Sequence, residues 1–88
     1  MKLIISAHAE KEIKRRNISK SLIHDAFGNP DEEVKGYGGR KVKQKIHKIK
    51  GKEKLLRVIY EVHKGKGVIV TAYLTSQIKK YMESKNEN

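Results

Sequence analysis

Cysteine is absent from the 88 residues. That removes disulfides, thiolate metal ligands and cysteine nucleophiles from consideration. No apolar run approaches the roughly 18 residues of a membrane span. The opening Leu3-Ile4-Ile5 is too short for the apolar region of a secretory signal, so the cytoplasm is the expected location and no membrane contact is expected. Acidic side chains are scarce: ten Asp and Glu stand against 21 Lys and Arg, a formal net charge of +11. Hydrophobic residues are 36% of the chain. At this length roughly 60–65% of the unfolded surface can be buried, which makes one modest core and one domain. That domain is expected over residues 1–82, with a polar tail over 83–88.

The positive charge is concentrated. Residues 1–34 carry six basic and six acidic side chains, and residues 68–88 sum to +1. Between them, residues 35–67 hold twelve basic side chains against Glu53 and Glu61, a sum of +10. A field of this sign attracts polyanions and speeds their encounter, and phosphate backbones are the commonest such partner. The plainer alternative is a lysine-rich solvated surface, in keeping with 17 of the 21 basic residues being Lys.

Hydrophobic periodicity supplies a coarse order of elements. Leu3-Ile4-Ile5 reads as a first strand, and Ser6 as the N-cap of a helix over residues 7–16 with Ala9 and Ile13 inward. Ser19 caps a second helix over residues 20–28, bearing Leu22, Ile23, Ala26 and Phe27 and stopped by Gly28-Asn29-Pro30. From residue 32 the period becomes two. Val34–Tyr37 reads as a strand, with Gly38-Gly39 as its turn. Residues 40–50 alternate Val42, Gln44 and Ile46 with Lys41, Lys43 and Lys45, and a bulge near His47 would reconcile Ile49. Residues 54–63 form the most apolar strand, and Val68–Leu74 the last. Turns are expected at Gly51-Lys52 and Gly65-Lys66-Gly67, and Ser76 caps a C-terminal helix with Ile78, Tyr81 and Met82. The expected fold class is α+β: two N-terminal helices and a short C-terminal helix packed on a twisted antiparallel meander sheet.

Four segments carry a family resemblance: Ser6-Ala7-His8-Ala9, Arg16-Asn17-Ile18-Ser19, Leu56-Arg57-Val58-Ile59-Tyr60 and Val68-Ile69-Val70-Thr71-Ala72-Tyr73. Together they resemble a small bacterial and archaeal family related to the RelE and BrnT toxins of toxin–antitoxin pairs. The resemblance covers residues 3–82. It implies a compact α+β domain that cleaves RNA in association with the ribosome and is neutralised by a small acidic antitoxin. Relatives often carry Arg four residues after the motif His, where this chain has Glu12.

Metal-free RNA cleavage uses the substrate's 2′-hydroxyl as nucleophile. The protein must take its proton, protonate the leaving oxygen and stabilise the charge on phosphorus. Histidine suits the first two tasks and Arg or Lys the third. His8 sits in the first turn of a helix, whose dipole disfavours imidazolium; its alternative role is to hold that helix to the sheet. Arg57 interrupts the most apolar strand. It is expected to face the open side of the sheet beside Arg40, Lys43, Lys45 and Tyr73, where Tyr73 can stack on a base. The alternative for Arg57 is a surface pair with Glu61. His8, Arg57 and Tyr73 are therefore the catalytic candidates. Arg16, Arg40, Lys43, Lys45, His47 and His63 are the RNA-binding candidates. No cofactor is expected; His8 and Glu12 share a helix face but lack a third metal ligand. Gly36-Tyr37-Gly38-Gly39 lacks the spacing of a phosphate loop. The expected function is a toxin-like RNA-binding domain, a metal-independent endoribonuclease of a type II pair. Its rivals are a non-catalytic RNA- or ribosome-binding module and a basic protein-interaction domain. The expected partners are RNA, the ribosome and a small acidic antitoxin, with no DNA for the domain alone.

Overall fold

In the computed structural model, which describes residues 1–82, the elements follow the expected order. They are β1 (Lys2–Ile5), α1 (Ala7–Arg15), α2 (Lys20–Gly28), β2 (Glu32–Lys35), β3 (Lys41–Ile49), β4 (Lys52–His63), β5 (Lys66–Thr75) and α3 (Ile78–Tyr81). A single 3-10 turn, Tyr37–Gly39, joins β2 to β3. The expected tail, 83–88, lies outside the described residues.

Local chemistry explains the boundaries. Ser6 Oγ accepts from the Ala9 amide at 3.1 Å and Ser19 Oγ from the Leu22 amide at 3.3 Å, so both N-terminal helices start on a side-chain cap. Asn17, with φ 57°, turns the chain out of α1. The two long hairpins turn on Lys50-Gly51 and Lys64-Gly65, one residue ahead of the expected positions. All four of these residues have positive φ, as a two-residue primed turn requires.

The expected antiparallel meander needs correcting. The sheet is mixed, in the order β1-β5-β4-β3-β2, because β1 runs parallel to β5 from Lys2↔Lys66 to Ile5↔Ile69. A lone apolar strand must pair with a free edge, and β5 offers one. The helix arrangement also differs from the one the resemblance implied. Helix α1 packs on β5, and α2 on β4 and β3, while α3 lies on the opposite face of the sheet.

On the α1/α2 side Ala9, Ile13, Ile18, Ile23, Ala26 and Phe27 meet Leu56, Val58, Tyr60, Ile69 and Ala72. Phe27 stands edge-on to Tyr60, with ring centres 5.0 Å apart. Ile69 and Ala72 lie three apart yet both face this core, because the β4–β5 register shifts between Ile59 and Tyr60. The one irregularity in these ladders is therefore in β5 opposite Ile59, rather than near His47.

Gly67 is where the sheet backbone approaches α2 most tightly. A Cβ there would stand 2.6 Å from Phe27 Cζ and 3.0 Å from Met1 Sδ. Gly67→Ala is expected to destabilise the fold by about 1–3 kcal/mol through overpacking. Gly28→Ala meets nothing within 4 Å and is expected to leave stability unchanged or raise it by up to about 1 kcal/mol. Urea unfolding of the two variants checks the opposite signs.

Candidate functional site

The register settles which side chains share the second face. Val42, Gln44 and Ile46 of β3 stand opposite Ile59, Arg57 and Leu55 of β4, and Arg57 stands opposite Tyr73 of β5. Gln44 and Leu55 are fully buried and Val42 nearly so, although they lie on the side away from α1 and α2. The turn of α3 supplies their cover: Gln44 Nε2 donates to the Tyr81 carbonyl at 2.9 Å, and Met82 is buried beside that turn.

Arg57 is held at the edge of this cover. Its Nε donates to Gln44 Oε1 at 2.9 Å and its Nη1 to the Tyr73 hydroxyl at 2.6 Å. The guanidinium carbon lies 4.3 Å from the Tyr81 ring centre and 5.7 Å from that of Tyr73. Every one of these groups is neutral, and among the described residues Arg57 forms no ion pair. Glu32 accepts from Gln44 Nε2 at 2.8 Å. Arginine carries five N–H donors; two are engaged, and among the described residues the rest have no partner.

Next to Arg57 the face opens into a concavity of about 410 Å³. Val42 and Ile59 form its floor, Arg57, Tyr73 and Thr71 one wall, and Lys35, Tyr37 and Arg40 the rim. Tyr37 is 96% exposed, an aromatic ring in open solvent. Glu61 holds the rim residue Arg40: one carboxylate oxygen lies 2.8 Å from His63 Nε2 and the other accepts from Arg40 Nε at 2.8 Å. The bond from His63, then the bond and charge of Arg40, hold the Glu61 carboxyl below the ordinary carboxylate value. Glu61 is thus spent on Arg40 and His63, and the alternative pairing of Arg57 with Glu61 is not formed.

The sequence-derived set is split by the sheet. Arg57, Tyr73 and Arg40 do share one surface. Lys43 and Lys45 stand opposite Val58 and Leu56 and so face α2 instead. There Lys43 Nζ donates to the Phe27 carbonyl at 3.0 Å, satisfying a free acceptor at the end of α2, and Lys45 pairs with Asp25 at 2.8 Å. His47 is on the same side, with its Nε2 buried and unpartnered among the described residues. His8 is exposed on α1, on the far side of the sheet from Arg57, so His8, Arg57 and Tyr73 do not form one site. Arg16 is a strap: its Nη1 donates to the Ala72 carbonyl at 2.9 Å and Thr71 Oγ1 at 3.1 Å, across the part of β5 that β1 is too short to cover. His63 reaches the concavity only through Glu61. Sequence reasoning missed Gln44, Tyr81, Tyr37 and Lys35. The signal for Gln44 was a lone amide within the apolar alternation Val42–Ile46; Tyr81 carried none, because its aromatic ring fits a core equally well.

Among known families, the model described as a domain of unknown function, DUF4258, matches residues 5–74. The chain belongs to that family. The matched span ends ahead of α3. No curated protein and no solved structure matches.

Glu61→Gln is expected to release Arg40 toward the concavity and to raise affinity for a short oligophosphate about twofold to fivefold. Calorimetric titration of both proteins measures this, and unchanged or weaker binding would remove Arg40 from the site.

Proposed function

We propose that this member of the DUF4258 family binds single-stranded RNA in the concavity, with a phosphate on Arg57. The observation that carries the reading is the neutral company Arg57 keeps: Gln44, Tyr73 and Tyr81 orient its charge without cancelling it. A half-buried guanidinium is costly unless its remaining donors are met, and a phosphate meets them in bidentate fashion. Tyr37 and Tyr73 offer rings on which unpaired bases stack. The net charge of +11 supplies the long-range attraction. A cytoplasmic setting belongs to the same proposal.

The test is fluorescence anisotropy with labelled oligouridine. Arg57→Ala is expected to weaken binding by about tenfold or more, since a hydrogen bond to a charged group contributes roughly 1.5–3 kcal/mol. Affinity is expected to fall with salt by about 0.7 log units per log unit for each phosphate engaged. Wild-type affinity in Arg57→Ala would overturn the reading, and a salt-flat profile would favour the rival protein-interaction domain.

A second reading, strand cleavage, is favoured by one specific contact. The Tyr73 oxygen accepts from Arg57 Nη1 at 2.6 Å, so its own hydroxyl hydrogen is left to point elsewhere. In this reading the RNA 2′-hydroxyl gives its proton to solvent water and its oxygen attacks the adjacent phosphorus. The bond from phosphorus to the 5′-oxygen breaks as a 2′,3′-cyclic phosphate forms, the 5′-oxygen leaves with the proton that Tyr73 donates, and the Tyr73 phenolate regains a proton from solvent. Arg57 stabilises the charge that develops on the phosphoryl oxygens. This activity, held in check by a small acidic antitoxin, is the toxin-like function. Growth arrest on induced expression and mapping of cyclic-phosphate ends test it. Tyr73→Phe is expected to slow cleavage about a hundredfold or more while keeping RNA affinity; equal cutting by Tyr73→Phe would remove Tyr73 from the chemistry.

A further inference from the structure

The long hairpin of β3 and β4 outruns the sheet. β5 pairs with β4 only as far as Leu55↔Thr75, and β2 pairs with β3 only as far as Gln44. Beyond Ile46↔Leu55 the hairpin is therefore a ribbon of two strands, closed by the primed turn at Lys50-Gly51. It carries Lys48, Lys50, Lys52 and Lys54. None of the four is in an ion pair among the described residues, and the one carboxylate, Glu53, stands opposite Lys48. Lys52 and Lys54 project to one side, Lys48 to the other, and Lys50 occupies the tip, so both faces of the ribbon are positive.

The chemistry of this surface selects its partner. The exposed large hydrophobic residues are Met1, Ile4, Tyr37 and Val62, and none of them lies on the ribbon. Protein interfaces depend on buried aromatic or apolar anchors at their centre, and beyond Ile46↔Leu55 the ribbon offers a single apolar side chain, the half-buried Ile49. A phosphodiester backbone needs only cations, and lysines that present point charges without a fixed fork serve it regardless of sequence.

The ribbon also continues from the site already described. Lys48, opposite Glu53, shares the face of Arg57 about four residues along the strands, roughly 13 Å at the rise of a strand, and Lys50 stands at the tip, whereas Lys52 and Lys54 project from the other face. Helix α3 lies on the face of Arg57, with Lys79 and Lys80 exposed. Lys80 Nζ lies 5.2 Å from the centre of the Tyr81 ring, which in turn covers Arg57. The lysines of α3 and Lys48 thus lie on the side of Arg57, and Lys50, Lys52 and Lys54 carry the positive charge round the tip to the other face.

We infer that the Lys48–Lys54 ribbon is a second, sequence-independent contact for the backbone of an RNA strand whose other end is seated at Arg57. The inference rests on the RNA reading above. Bound RNA then leaves the concavity along β4, and the length of strand, rather than its sequence, decides whether the ribbon is used.

Anisotropy titrations with oligouridine of about 4 and about 16 nucleotides, the range of single-strand site sizes, test this. The proteins compared are wild type, Arg57→Ala, and a ribbon variant combining Lys48→Gln, Lys50→Asn, Lys52→Gln and Lys54→Gln. The ribbon variant is expected to bind the short strand as wild type does, which also shows that it folds. On the long strand it is expected to bind more weakly, with a salt slope shallower by about 2–3. Arg57→Ala is expected to lose affinity for both lengths. Wild-type binding of the long strand by the ribbon variant would overturn the inference and leave the Arg57 reading standing. An equal loss on both lengths would overturn it too, because the lysines would then act only through the general field. Wild-type binding by Arg57→Ala would instead overturn the seating of the strand in the concavity.

Discussion

Strand β4 is the one element whose two faces must both be satisfied, and its two-residue period divides the molecule. Leu56, Val58 and Tyr60 go into the core beneath α1 and α2. The alternation of a strand then sends Leu55, Arg57, Ile59 and Glu61 to the other side whatever their chemistry. That side holds incompatible demands, an apolar Leu55 that requires cover and a guanidinium that requires polar company. The single turn of α3 meets both. Its neighbour Met82 is buried where cover is needed, and Tyr81 lays a ring against Arg57, a contact that desolvates a cation at low cost because the ring face is itself partly negative.

Gln44 is the counterpart of that arrangement on β3. Its amide gives both hydrogens away, to Glu32 and to the Tyr81 carbonyl, which turns its oxygen toward Arg57 Nε. A carboxylate at the same place would hold Arg57 more strongly and would also neutralise it. The amide fixes the orientation and leaves the positive charge in place. Glu32 steadies the amide by accepting from its Nε2. A rigid cation of this kind has already met its ordering cost before any anion arrives.

Local signals in the sequence were sufficient for the elements. Ser6 and Ser19 were legible as caps because a hydroxyl ahead of an apolar helical stripe has one main use. Arg57 was legible as a residue of the second face because it interrupts an otherwise apolar strand. Pairing was not legible. Leu3-Ile4-Ile5 shows that a strand exists but contains nothing that selects a parallel partner at β5, 64 residues away in register. The face of the β3 lysines also escaped, for a different reason. A lysine stem is apolar enough to lie over Phe27 and its ammonium reaches the Phe27 carbonyl, so Lys43 fits the helix side as well as open solvent. The β5 irregularity opposite Ile59 was hidden because Val70 and Thr71 are both β-branched and suit either face.

These placements change what the charge of the central stretch means. Summed along the sequence it is a single block, but in space it is dispersed. Lys43 and Lys45 serve α2, Arg40 is tied to Glu61, and Lys48, Lys50, Lys52 and Lys54 lie out on the ribbon, so that within the concavity Arg57 is, among the described residues, the cation held by neutral side chains. The same reasoning bears on Glu12, which stands where the resemblance implied an arginine. Glu12 binds Arg15 and Arg16, and Arg16 in turn straps α1 to β5 at Ala72. An arginine at position 12 would repel both and loosen that strap. The departure therefore belongs to the packing of α1 against the sheet, and it reaches the concavity only through the bond of Arg16 to Thr71 Oγ1.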